Sequence, residues 1–147
     1  MRILAVDPGS KRLGIAISDP SGTISRPLLV INHKSREEDA IRIAEIADKN
    51  MIGLIIIGLP LDEEGNPGPQ ARKAIRLAGV LKSHTVIPIE LWDESGSTIE
   101  AHQVRTAMKV KKRKNKGHLD DLAAAIILQS YIDARIQPGS KFVNNSE

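Results

Sequence analysis

Apolar and polar positions alternate along the chain with two different periods, and the switches between them mark its elements. Ile3 to Val6 is a short unbroken apolar run, the pattern of a strand buried on both faces. Pro8-Gly9-Ser10-Lys11 follows as a hairpin-length turn into a second strand, Leu13 to Ser18. Asp19 to Gly22 turns the chain again, into a third strand from Thr23 to Ile31 whose Pro27 belongs at a sheet edge. The period then becomes helical. Ser35 and Glu38 make a capping box, and Ala40, Ile43, Ala44 and Ala47 form one apolar stripe that ends near Asn50. Gly53 to Gly58 reads as a buried strand, a Gly/Pro-rich loop opens a helix from Pro69 to Ser83, and Val86 to Trp92 is the last strand. A second capping box, Ser97 and Glu100, starts a helix to about Met108, and a final helix runs from Leu119 to Ile136.

The order predicts an α/β fold: a five-stranded mixed sheet, built from a three-strand antiparallel meander and two parallel strands, with helices on both faces. The first strand is expected at the centre, beside the fourth. Residues 1–138 read as a single domain, with 139–147 as a flexible tail.

In such sheets ligands gather beyond the carboxyl ends of the strands. Asp7 ends the first strand, Asp93 and Glu94 end the last, and Asp120 and Asp121 open the final helix. Each has an ordinary role available: Asp-Pro-Gly is turn chemistry, Asp93 fits a cap or turn, and acids at a helix start complement its dipole. Together they are acids from three distant segments converging on one edge. Carboxylates so gathered repel one another unless a cation is present. Oxygen donors without Cys or His suit Mg²⁺ or Mn²⁺, the ions that assist phosphodiester hydrolysis.

Four stretches, "VDPGSKRLGIAISD", "GLPLDEEGNPGPQA", "WDES" and "LDDLAAAIILQ", resemble the YqgF/RuvX family in the family's own order, from Arg2 to about Tyr131. The resemblance implies an RNase H-like fold and a metal-dependent nuclease that cleaves structured nucleic acid. It further implies processing of the 5′ end of the small-subunit (pre-16S) ribosomal RNA precursor. The family's three acids fall on Asp7, Glu94 and Asp120, expected both as catalytic residues and as ligands of Mg²⁺ or Mn²⁺. Where the family pattern continues Arg-Leu after the second acid, this chain has Ser95-Gly96, without the positive charge.

Charge narrows the partner. The net charge is only +3, but six cations crowd into Lys109, Lys111, Lys112, Arg113, Lys114 and Lys116, immediately before Asp120. Such a run is either a solvated stretch or a phosphate-binding one, and its place beside the acids favours nucleic acid. Lys11 and Arg12 extend the same rim next to Asp7. Trp92, Tyr131 and Phe142 are the only aromatic residues, too few to stack a row of single-stranded bases, so backbone contacts to structured RNA or branched DNA are expected.

Two alternatives share this reading of the residues: a Holliday junction resolvase acting on DNA, and a non-catalytic RNA-binding factor of ribosome assembly. An ATP-using protein of the actin and sugar-kinase type would need two such domains around a cleft. The absence of cysteine excludes disulfides and thiolate metal sites. The lack of a long apolar run argues for a cytoplasmic protein without a membrane partner, as monomer or weak homodimer.

Overall fold

The computed structural model of the chain describes residues 1–62, 64–93 and 119–136. Strands β1 (Arg2–Pro8), β2 (Arg12–Ser18) and β3 (Ser25–Asn32) form the meander, followed by α1 (Arg36–Lys49), β4 (Ile52–Leu59), α2 (Pro69–Leu81), β5 (Ile89–Asp93) and α3 (Leu119–Ile136). The sheet order is β3-β2-β1-β4-β5. β1 pairs antiparallel with β2 and parallel with β4, and β4 pairs parallel with β5. The mixed sheet and the central first strand are those the sequence predicts.

Strand alternation sorts the core into two layers. Leu4, Val6, Leu13, Ile15, Ile17, Ile55 and Ile57 point to one face and bury the apolar stripes of α1 and α2. Ile3, Ala5, Ala16, Leu54 and Ile56 point to the other and meet Ala124, Ala125, Ile127, Leu128 and Tyr131 of α3. The small side chains Ala5, Ala16 and Ala124 are fully buried there, which lets α3 lie close on the sheet. Among the described residues no helix is long and apolar enough to cross a membrane.

Local chemistry sets the ends of the elements. Ser35 caps α1, its Oγ accepting the Glu38 N–H at 3.1 Å and donating to Glu38 Oε1 at 3.2 Å. The helix stops at Asn50, and Met51 reverses the chain with φ 54. Pro69 starts α2 at a position where its missing N–H costs nothing.

Strand boundaries shift from expectation most at β1, β3 and β5. β1 is longer than its apolar run, because pairing with β2 carries it to Pro8, two residues past its last pair with β4. β3 begins at Ser25 rather than Thr23. The Thr23 and Ile24 N–H groups donate instead to the Asp19 carboxylate, at 2.8 and 2.9 Å. The Ser21 hydroxyl and these amides hold the Asp19 carboxyl well below the usual carboxylate range. β5 begins at Ile89 rather than Val86. Pro88 has no N–H to give to a ladder, although its carbonyl accepts from Ile55 at 3.0 Å, and Val86 is fully exposed. Pro27 sits on the edge strand as expected, opposite Ala16 where the β2–β3 register shifts. The expected helix from Ser97 to Met108, the basic run and the tail lie outside the described residues.

Candidate active site

Asp7 is half-buried near the carboxyl end of the central strand. It alternates with Ile3 and Ala5, so it belongs to the face that α3 covers. Two sets of contacts seat α3 on that face. Ser25, at the start of β3, donates through Oγ to the Ala125 carbonyl at 2.7 Å and through its N–H to Gln129 Oε1 at 2.9 Å. Arg135, near the helix's end, lines a pocket with Met1, Ile3, Ser21 and Gly22, at the amino end of β1. Through Ser18, Ser25 stands level with Ile3, so both contacts anchor α3 over the amino half of the meander. From Ile132 back to Asp120 the helix spans about 18 Å. Asp120 stands in the helix's first turn.

The third expected acid, Glu94, lies outside the described residues. β5 ends one residue before it and pairs with β4, two strand positions from β1, or about 10 Å. Asp93 alternates with Ile89, which packs against the α1/α2 layer, and so belongs to the face away from Asp7. That agrees with its reading as a cap or turn residue. Among the described residues no three His, Asp or Glu side chains are grouped to hold a metal ion.

Of the expected phosphate contacts, Lys11 and Arg12 are exposed on the β1–β2 turn, on the same edge as Asp7. The turn is tightly built. Gly9 donates to the Arg12 carbonyl at 2.9 Å, and a Cβ on Gly9 would lie 2.4 Å from that oxygen. Lys109, Lys111, Lys112, Arg113, Lys114 and Lys116 lie outside the described residues.

Sequence reasoning missed the clamp that joins β5 to α3. Trp92 and Tyr131 meet edge to face with centroids 5.2 Å apart. The Tyr131 hydroxyl donates to Glu90 Oε1 at 2.9 Å, and Trp92 Nε1 donates to Ser130 Oγ at 3.4 Å. Scarcity of aromatic residues was the available signal: two of the three in the chain are used here. Burial, then the Glu90 hydrogen bond, pushes the Tyr131 hydroxyl up to about 12. Because the folded value lies above the ordinary 10.0, this group stabilises the fold fully below pH 10, and the contribution is lost as pH rises towards 12. Tyr131→Phe is expected to cost about 1 kcal/mol at neutral pH by urea unfolding, and to lose less stability than the wild type between pH 10 and 12.

Known proteins share this chain's sequence pattern and fold. A family model described as "RuvX: Holliday junction resolvase" matches residues 1–134. A protein of Thermoanaerobacter pseudethanolicus, provisionally named a pre-16S rRNA nuclease, is 43% identical over 136 residues, covering 92% of this chain and 98% of its own. One from Pelotomaculum thermopropionicum, with the same provisional name, is 37% identical over 139 residues, covering 94% and 90%. Among solved structures, Thermus thermophilus RuvC in complex with a Holliday junction substrate superposes with a TM-score of 0.56 at 16% identity, over 93% of this chain and 96% of that one. The fowlpox virus Holliday junction resolvase gives 0.52 at 16% identity, over 91% and 99%. The fold is the RNase H-like one that these structures share.

Proposed function

The chain belongs to the RuvX family and is a nuclease, and on that premise we propose that Asp7, Glu94 and Asp120 form its hydrolytic centre, acting on structured nucleic acid. The observation that supports this reading is Asp7, half-buried at the carboxyl end of the central strand on the face that α3 covers, with Asp120 in the first turn of that helix. The donor chemistry fits a hard divalent cation: carboxylate oxygens, and no cysteine anywhere in the chain. Asp7, Glu94 and Asp120 would hold Mg²⁺ or Mn²⁺, which when bound lowers the pKa of water and offsets charge on the phosphodiester.

The chain's own residues do the rest. Lys11 and Arg12 flank Asp7 on a turn too tight to drift, and bind backbone phosphates beside the scissile bond. The run from Lys109 to Lys116 adds charge that is relieved only by phosphates, with counterion release driving the association. The Trp92–Tyr131 clamp fixes the end of β5, from which the chain continues to Glu94, against the helix that begins at Leu119.

The substrate favoured is a ribosomal RNA precursor, cut at the 5′ side of 16S rRNA, in line with the name its relatives bear. Cleavage of that precursor and of a four-way DNA junction, each with Mg²⁺, Mn²⁺ or chelator, tests it. RNA cutting that chelator abolishes is the expected result. Cutting confined to the junction would make the chain a resolvase, as its structural neighbours are. Binding of both with cleavage of neither would overturn the catalytic reading.

A further inference from the structure

The carboxyl edge of the sheet has a second recess, on the face opposite Asp7. A cavity of about 210 Å³ opens there between the β1–β2 turn, the start of α1 and the first turns of α2. Leu13 and Leu77 form its apolar floor, both buried. Ser10, His33, Arg36 and Lys73 supply its polar wall, from the β1–β2 turn, the β3–α1 junction and α2. The wall is held in place: the His33 N–H donates to the Lys11 carbonyl at 2.8 Å, tying the end of β3 to the turn that carries Ser10.

One carboxylate, Asp39, also lines the cavity, hydrogen-bonded from two sides. It is 4% exposed, Oδ1 accepts the Lys34 N–H at 3.1 Å, and Oδ2 is hydrogen-bonded to His33 Nδ1. That bond fixes the orientation of the ring. The neighbouring acids of α1 are engaged elsewhere, Glu37 with His84 and Glu38 with Ser35. Arg36 and Lys73 have no carboxylate partner among the described residues. The recess therefore gathers two cations, Arg36 and Lys73, against one hydrogen-bonded carboxylate, and no Phe, Tyr or Trp lines it.

We propose that this cavity seats a backbone phosphate of the nucleic acid, away from the acidic centre, and so grips the substrate on both faces of the sheet edge. The proposal rests on the nuclease reading for its choice of ligand. Phosphate as a chemical group also occurs in free nucleotides. The missing stacking surface favours the polymer, whose affinity comes from several phosphates at once and needs no base contact at this point. Two grips on opposite faces of one sheet lie on the order of 10 Å apart, comparable to a duplex groove, which a folded or double-stranded substrate can span.

The test is binding of a fluorescently labelled RNA duplex in chelator, followed across a KCl series, for the wild type and Arg36→Ala/Lys73→Ala. Loss of a phosphate contact is expected to flatten the plot of log K against log [KCl] by about 1 to 2. Lys73→Arg should restore part of the slope. Arg26→Ala, on the edge strand at the far end of the sheet, should leave it unchanged. Equal slopes in the wild type and the double variant, at equal melting temperature, would overturn the proposal. A mononucleotide or inorganic phosphate that shifts the Ser10 and His33 amides more tightly than the duplex binds would also overturn it, and make a free phosphate compound the ligand. A wild type that shows the cation-dependent slope but cuts neither RNA nor junction defeats the nuclease reading and leaves this site standing. Cleavage with unchanged slopes defeats this site alone.

Discussion

Asp7→Asn is expected to keep the fold and the affinity for nucleic acid while losing metal-dependent cleavage by at least about 10²-fold, the usual scale for removing one preorganised electrostatic contact from a site. The change is nearly isosteric, so β1 keeps its pairing with β2 and β4 and the packing around Ile3 and Ala5 is untouched. What is lost is a negative charge at the sheet edge. If Asp7 holds a divalent cation, the variant needs a higher Mg²⁺ concentration as well as turning over more slowly, and a metal titration of the cleavage rate reads both effects. Circular dichroism and duplex binding in chelator should match the wild type. Wild-type cleavage by Asp7→Asn would return the residue to its alternative role, an ordinary aspartate at the head of an Asp-Pro-Gly turn.

Leu128→Ala carries the largest expected effect on stability. Leu128 is fully buried in the layer between α3 and the sheet, where Ala5, Ala16 and Ala124 already leave little bulk to close a void. Large-to-small changes at such positions cost about 2–5 kcal/mol, and about 5–15 °C in melting temperature for a domain of this size. The loss bears on function if Asp120 acts with Asp7 as proposed, because looser packing of α3 then lowers cleavage as well. Ile24→Ala removes a comparable side chain that is 67% exposed and should change stability by no more than about 0.5 kcal/mol. Equal melting temperatures for the two variants would mean that α3 does not depend on this layer for its position.

The difference between those two isolated side chains, one decisive and one nearly silent, shows where reading the chain succeeds and where it stops. The unbroken apolar run at Ile3–Val6, the stripe of α1 and the capping box at Ser35 are local patterns, and each element formed where its pattern predicted. Boundaries moved where a partner decided them. Thr23 and Ile24 gave their amides to Asp19 rather than to a ladder, and Pro88 delayed the start of β5.

The acids were visible as candidates because residue type and position at element ends are properties of the chain itself. By itself the sequence determined the kinds of element, their order, the family and the hard-oxygen chemistry on offer. The tertiary structure alone decided which groups share a face and an edge. Strand alternation puts Asp7 on the face that α3 covers and sends Asp93 to the opposite side, and Trp92 meets Tyr131 across 38 intervening residues. The same is true of His33, Arg36 and Lys73, whose common cavity has no trace in any local pattern. The physical reason is that periodicity and capping report interactions within a few residues, whereas a site is made by the packing of segments whose separation along the chain carries no signal of their separation in space.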